Sequence, residues 1–182
     1  MTGLPFQPRP LAHVTMGLGW DPADRGGFFR RGNSDIDLNA AALLFAGTDF
    51  VDVAYHEQLT SRDGSTRHLG DSVTGDGDGD NEMIVVDLTK VDPVVTAVVF
   101  LVSCYTGHRF GQIENGFCRV VDNVTGVELV RFDLADAAEH TGLVIGMLHR
   151  PRGSWEYTAI VEPIQVEHIA DAVPLIARQL GR

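Results

Sequence analysis

Short apolar runs rich in β-branched residues, separated by turn sequences, most restrict the folds open to this chain of 182 residues. Turns such as Arg62-Asp63-Gly64-Ser65 and Asn123-Val124-Thr125-Gly126 leave no room for the crossovers of about a dozen residues that parallel strands need. This spacing is typical of an antiparallel sandwich or barrel. We therefore predict an all-β fold, a two-sheet antiparallel β-sandwich with a short C-terminal helix. The predicted strands are 13–18, 38–45, 50–56, 83–88, 95–105, 118–122, 128–133, 143–149 and 155–161.

Both ends of the chain depart from this β pattern. Prolines are frequent in residues 1–11, which we predict to be an extended N-terminal arm. The sandwich domain is predicted to span 12–165, and residues 166–182 to form a helical tail of the same domain. Asp171 is placed to cap a helix that begins near Pro174, a residue tolerated in the first turn. The apolar face of this helix predicts packing on the sandwich or on a partner.

The segment 70–82 is acidic, rich in glycine, and contains no lysine or arginine. Two carboxylates about 5 Å apart repel by about 1 kcal/mol in water and about 3 kcal/mol at an effective dielectric constant near 20. Glycines at alternate positions allow the backbone to turn several oxygens towards one point. Calcium takes about six to eight oxygen ligands in flexible loops. We therefore predict a divalent cation site, the alternative being a solvated acidic hairpin tip or linker. The acids of this loop are Asp71, Asp76, Asp78, Asp80 and Glu82.

The net charge of the whole chain is −11, which opposes nonspecific binding to nucleic acid or to anionic membranes. No apolar run approaches the roughly 20 residues of a transmembrane helix, and no secretory signal is recognisable. Cys104 and Cys118 lie in strand-like apolar segments, which predicts two buried, reduced thiols. We expect a cytoplasmic protein.

Six short motifs follow one another along the chain: GLGWD at 17–21, IDLNA at 36–40, HLGD at 68–71, TGDGDGDNE at 74–82, VDL at 86–88 and RFDL at 131–134. In this order they resemble the signature of the TerD tellurium-resistance family, from about Val14 to about Val161. The resemblance implies a β-sandwich whose acidic loops bind calcium, commonly two ions, in a cytoplasmic protein of tellurite and general stress resistance. It implies no catalytic activity, a protein partner of unknown identity, and membrane-associated stress complexes.

The match to the family motifs has departures that bear on calcium affinity. Asn39 stands where the family has the second acid of its DLDAS motif, and Asn81 replaces an acid of the GDDE run. An asparagine keeps a carbonyl ligand but removes one negative charge, so each change should weaken binding. The sequence and the resemblance together predict one or two Ca²⁺ ions held by Asp37, Asn39, Asp71, Asp76, Asp78, Asp80 and Glu82, with Asp21, Asp35 and Asn81 as weaker candidates.

Three functional hypotheses follow from the acidic cluster. In the first, calcium orders the loops so that they present a surface to a partner. In the second, the same acids serve a metal-dependent hydrolase or a nucleotide-binding enzyme. The chain has neither a GxSxG nor a GxxxxGK motif, so we do not expect an enzyme. In the third, the departures have disabled the metal sites and the domain is an interaction module. His68 is the histidine closest to the acidic loop in sequence.

Overall fold

The computed structural model describes residues 9–21, 37–71, 79–104 and 107–182. These residues form two five-stranded sheets, two short 3-10 helices (Phe110–Gln112 and Leu134–Ala137) and one α-helix, α1 (Ile169–Leu180). The predicted two-sheet antiparallel β-sandwich with a short C-terminal helix is confirmed. In chain order, the strands are β1 (His13–Gly19), β2 (Leu38–Ala46), β3 (Asp49–Ala54), β4 (Thr66–Asp71), β5 (Glu82–Asp87), β6 (Ala97–Cys104), β7 (Phe117–Asp122), β8 (Val127–Asp133), β9 (Gly142–His149) and β10 (Glu156–Ile164).

The first sheet has the strand order β4-β5-β1-β7-β8, and the second has the order β10-β9-β6-β2-β3. Alternate residues of β2 point to opposite faces of the second sheet. Leu38 and Ala40 belong to the core between the sheets, whereas Ala41 and Leu43 pack in a second cluster with Ala172 of α1. Because α1 covers its outer face, β2 is buried on both sides. This double burial explains its uninterrupted apolar sequence.

Strand β4 is absent from the predicted set, so the sequence interpretation was wrong there. Thr66, Arg67 and His68 give no apolar alternation, yet β4 pairs antiparallel with β5 from Thr66 opposite Val86 to His68 opposite Ile84. The inward side chains Thr66 and His68 are polar but almost fully buried. The strand is stabilised by pairing and polar contacts, which hydrophobic periodicity does not reveal.

The C-terminal helix begins one turn earlier than predicted. Its N-cap is His168, and Asp171 lies in the first turn, where its Oδ2 accepts a hydrogen bond of 3.0 Å from the His168 N–H. Pro174 therefore lies inside the helix. Burial of Ala172 and Ile176 against the second sheet offsets the backbone hydrogen bond that the proline cannot make.

Residues 1–8 of the predicted N-terminal arm lie outside the described residues. At the end of that arm the Leu11 N–H donates a hydrogen bond of 3.2 Å to the Trp155 carbonyl. Across the described ranges, no helix has the length and apolar character needed to span a membrane.

Candidate functional site

Glu82 begins β5 and its side chain points into the sandwich, on the same face as Ile84 and Val86. Its carboxylate is buried, and Oε2 accepts a hydrogen bond of 2.8 Å from the Ala40 N–H. Strand β3 pairs with β2 only from Ala42 onwards, so the carboxylate takes the place of a strand partner at this edge. A buried carboxylate is tolerated only with such donors. Glu82 thus joins the two sheets.

His68 is the second described partner of this carboxylate. Its Nε2 lies 3.2 Å from Glu82 Oε2, and both side chains are at most 1% exposed. The Gly70 N–H donates to His68 Nδ1 at 3.0 Å, so that nitrogen carries no proton. This hydrogen bond assigns the neutral tautomer, in which Nε2–H donates to Glu82. The two described donors to Glu82 Oε2, the His68 Nε2–H and the Ala40 N–H, are therefore uncharged groups.

Asp80 precedes β5 and is neutralised by an arginine from β7. The Arg119 Nε and Nη2 atoms donate to its two carboxylate oxygens at 3.0 and 2.8 Å. The Asp80 side chain is only 7% exposed. Its hydrogen bond raises the pKa of Arg119 further above the usual value, so the guanidinium stays charged. This bidentate geometry is the stronger form of a carboxylate pair.

Two glycines of β1 allow this arrangement. A Cβ on Gly17 would lie 2.4 Å from the Asp80 carboxylate, and a Cβ on Gly19 would lie 2.5 Å from the Phe117 ring. Only a residue without a side chain lets Asp80 lie against β1 at this distance. The glycines of the first motif, GLGWD, therefore provide a backbone surface against which Asp80 lies.

The ion pair continues across the outer face of the first sheet. Arg119 Nη1 lies 3.5 Å from Glu128, and Glu128 accepts two hydrogen bonds from Arg131 at 2.9 and 3.1 Å. The Arg131 guanidinium lies 4.5 Å from the centre of the Phe117 ring. A change in the contact between Asp80 and Arg119 would therefore alter the exposed charged surface that Arg119, Glu128 and Arg131 form on β7 and β8.

Asn81 and Asp21 have local structural roles. Asn81 Oδ1 accepts a hydrogen bond of 2.8 Å from the Trp20 N–H, and the Asn81 N–H donates to the Leu18 carbonyl at 2.7 Å. Asp21 Oδ2 accepts from the Asn115 side-chain amide at 2.5 Å. These contacts attach the end of the acidic loop to the end of β1, and the ligand role predicted for both residues stays a prediction.

Among the described residues, the structure brings together part of the predicted ligand set. Asp80 and Glu82 lie at one end of β5, and the Asp71 backbone pairs with Glu82 in the β4–β5 register. Asp37 is exposed just before β2, but the Asn39 side chain lies on the opposite face of β2 from Glu82. In the described ranges, no group of three or more His, Cys, Asp or Glu side chains is arranged to hold a metal. Asp35, Asp76 and Asp78 lie outside the described residues.

The oxygen donors at this end of the sandwich fit a hard cation chemically. Glu82 is a buried carboxylate whose Oε2 accepts from His68 and from the Ala40 amide, and Asp80 has a cationic partner, Arg119, that an ion would have to replace. Sequence reasoning missed Arg119, because nothing local relates it to an acid 39 positions away. His68 stood out in the sequence only because it is close to the acidic loop. The HLGD motif that contains it was the available sign that it belongs to the site.

The two cysteines are free and buried, as predicted. Burial raises the pKa of the Cys104 thiol to about 12, and burial likewise raises that of Cys118 to about 12. The thiolate is the reactive form of cysteine, so both side chains act as packing groups at neutral pH.

Comparisons with known proteins agree with the motifs. The family model of the TerD domain matches residues 4–171. Tellurium resistance protein TerZ of Serratia marcescens is 42% identical over 155 residues, covering 82% of this chain and 79% of that protein. Stress response protein SCP2 of Bacillus subtilis (strain 168) is 36% identical over 176 residues, covering 90% of this chain and 88% of that protein.

The fold has also been observed in solved structures. A homologue of the telluride resistance protein (TerD), SCO6318 from Streptomyces coelicolor A3(2), superimposes with a TM-score of 0.75 at 23% identity. That similarity covers 94% of this chain and 98% of the other. A protein of unknown function, SAV2460, superimposes with a TM-score of 0.79 at 21% identity, covering 93% and 98% of the two chains. At these identities the similarity concerns the fold alone.

Proposed function

Because the chain belongs to the TerD domain family of tellurium-resistance and stress-response proteins, we propose that it is a cytoplasmic calcium-binding module. In this proposal one or two Ca²⁺ ions order the acidic loop, and the ordered loop presents a surface to a protein partner. The module has no catalytic role of its own.

The observation that carries the proposal is the buried Glu82 carboxylate at the base of the acidic loop. Its Oε2 is held by the Ala40 amide and a neutral His68, and four further acids precede it in the loop. A bound divalent cation would supply the positive charge that this cluster attracts. The proposed ligands are Asp37, Asp71, Asp76, Asp78, Asp80 and Glu82. Asn39 is left out, because its side chain lies on the other face of β2.

The residues around Asp80 suggest how binding changes the surface. Asp80 is neutralised by Arg119, whose Nη2 lies 2.8 Å from its carboxylate. When Asp80 turns to serve as a ligand, it releases Arg119, whose other described carboxylate partner is Glu128. The charged surface of β7 and β8 is then rearranged, and we propose that the partner recognises this surface.

Calcium titration by calorimetry tests the proposal, together with thermal unfolding. A hundredfold excess of calcium over Kd adds about 2.7 kcal/mol to the free energy of unfolding. For a chain of this size that corresponds to a rise in Tm of about 5 to 11 °C. We expect this rise with calcium and a smaller one with magnesium. A Tm that calcium raises no more than magnesium or sodium does would contradict the proposal.

Matched variants distinguish the proposed site from general charge effects. Glu82→Gln should weaken calcium binding by at least about tenfold, because it removes a charged ligand. Glu156→Gln removes one charge from an exposed position at the start of β10, in the other sheet, and should leave the affinity within about twofold. Equal losses of calcium affinity in the two variants would show that the effect comes from net charge and not from a specific site.

The two alternative functions are outcomes of the same experiments. Turnover of phosphoesters by the calcium- or manganese-loaded protein, abolished by Asp80→Asn, would replace the proposal with a metal-dependent hydrolase. A folded protein that takes up no calcium would favour an interaction module with degenerate sites.

A further inference from the structure

A cavity of about 320 Å³ lies on the outer face of the second sheet, beneath the first turns of α1. This face of β2 is opposite to the one that faces Glu82, so the cavity is separate from the acidic site. Its walls are largely apolar, with Phe50 and Val53 from β3 on one side and Ile169 and Val173 from α1 on the other. Ligand cavities in proteins have volumes of about 300–1,000 Å³ and mostly apolar walls.

The floor of this cavity is polar. Asn39 of β2 and Ser103 of β6 are opposite each other in the strand register and are 3% and 2% exposed. The Asn39 Nδ2 atom is buried and has no hydrogen-bond partner among the described residues. A buried donor left without a partner destabilises the fold. The next residues on the same face of β2, Ala41 and Leu43, are apolar, so the fold itself does not require a polar side chain there.

We propose that this cavity binds a small, uncharged organic molecule with a carbonyl oxygen. The carbonyl accepts a hydrogen bond from the Asn39 side-chain amide, and the Ser103 hydroxyl lies beside it on the floor. The apolar body of the molecule packs between Val53 and Val173. The volume places the cavity at the small end of the range for ligand sites, which suits a single-ring compound.

The charges around the cavity disfavour an anion. Glu57 lies at the cavity, with its carboxylate accepting a hydrogen bond of 2.8 Å from the Tyr55 hydroxyl. His56 and His168 also line the cavity, and the N-terminus of α1 beside it carries a partial positive charge, which Asp171 in the first turn offsets. The whole chain carries a net charge of −11. A carboxylate ligand would be repelled by Glu57 and by this net negative charge, whereas a ketone or amide carbonyl would not.

Titration of the ¹⁵N-labelled protein by NMR tests the inference, with acetophenone as the neutral carbonyl probe. We expect the largest shifts in the backbone amides of residues that line the cavity, such as Val53, Ser103 and Ala170. Benzoate, which has the same ring and a negative charge, should bind at least about tenfold more weakly. Tighter binding of benzoate than of acetophenone would overturn the choice of an uncharged ligand.

Substitution of Asn39 tests the hydrogen bond. Asn39→Leu should weaken acetophenone binding by about fivefold to tenfold, the effect of one lost hydrogen bond, and should not weaken binding of toluene, which has no acceptor. The matched control is Asn123→Leu, in a turn of the other sheet, whose side-chain amide donates to Thr15 Oγ1. Unchanged acetophenone affinity in Asn39→Leu would overturn the assigned role of the amide.

Val173→Phe provides a test that does not depend on Asn39. The larger side chain fills the space between α1 and β3, so acetophenone and toluene should both lose binding. Retained binding in a folded Val173→Phe variant, judged by its NMR spectrum, would show that the probes bind elsewhere and would overturn the inference.

Discussion

The Asp80 carboxylate and the Arg119 guanidinium form a two-point ion pair, with N to O distances of 3.0 and 2.8 Å, at the end of the acidic loop. In the proposed calcium site, Arg119 and the ion would compete for the same oxygens. We predict that Arg119→Gln raises calcium affinity, by about tenfold, because a buried carboxylate without its partner favours another cation. Calorimetric titration measures this change.

The control for that variant is Arg131→Gln. Arg131 hydrogen-bonds Glu128 and covers the Phe117 ring but is not a described partner of Asp80. Arg131→Gln removes one positive charge from the same sheet, as Arg119→Gln does. The calcium affinity of Arg131→Gln should nevertheless change much less. An equal rise in both variants would assign the effect to net charge, and a fall in Arg119→Gln would exclude competition.

Loss of the Glu82 side chain should destabilise the fold strongly, even without calcium. Glu82→Ala leaves the Ala40 N–H and the His68 Nε2–H without their acceptor in a buried place. Each unsatisfied donor costs about 1–3 kcal/mol, so we expect the two to lower the free energy of unfolding in urea by about 2–6 kcal/mol. Glu128→Ala, on the exposed outer face, should cost less than about 1 kcal/mol.

Gly17→Ala should displace Asp80 from Arg119. The new methyl group would lie 2.4 Å from the Asp80 carboxylate, closer than packing allows. We expect a loss of about 1–3 kcal/mol in the free energy of unfolding, measured in denaturant. Gly79→Ala is the matched control, because a Cβ there meets no atom within 4 Å. A Gly17→Ala protein as stable as Gly79→Ala would refute the close contact.

Stability in acid should depend on Asp63. Burial acts to raise the pKa of this carboxyl, but hydrogen bonds from Ser61, Asp92 and Ser65 outweigh it, and the pKa is lowered from 3.8. The native state therefore favours the ionised form. Its contribution to stability is present above pH 3.8 and is lost as the pH falls below that value through the lower native pKa.

Unfolding in urea at pH 6 and at pH 3 measures this contribution. Asp63→Asn should lower stability at pH 6 and reduce the difference between the two pH values. Ser61→Ala removes one of the hydrogen bonds, at 2.7 Å, and should give an intermediate result. The same acid sensitivity in the wild-type protein and Asp63→Asn would contradict the assignment.

Strands with a clear apolar pattern were predicted from sequence, and the exceptions have physical reasons. Strand β5 alternates because one of its faces is buried. Strand β6 is an apolar run because both of its faces are buried. Strand β4 was missed, because its buried positions Thr66 and His68 are polar and have tertiary partners. The start of α1 was misplaced, since packing of Ala172 on the second sheet outweighs the local effect of Pro174.

The sandwich, the family and the concentration of acids between β4 and β5 could all be predicted from the sequence. Those properties depend on local composition, alternation and spacing, which can be read along the chain. Three contacts follow from the tertiary structure alone. Asp80 pairs with Arg119, and Glu82 accepts a hydrogen bond from the Ala40 N–H of β2. Asn39 faces a cavity that is separate from these two contacts. Strand register decides which face each side chain occupies, and a shift of one residue reverses it. These contacts join distant parts of the chain, so no local pattern specifies them.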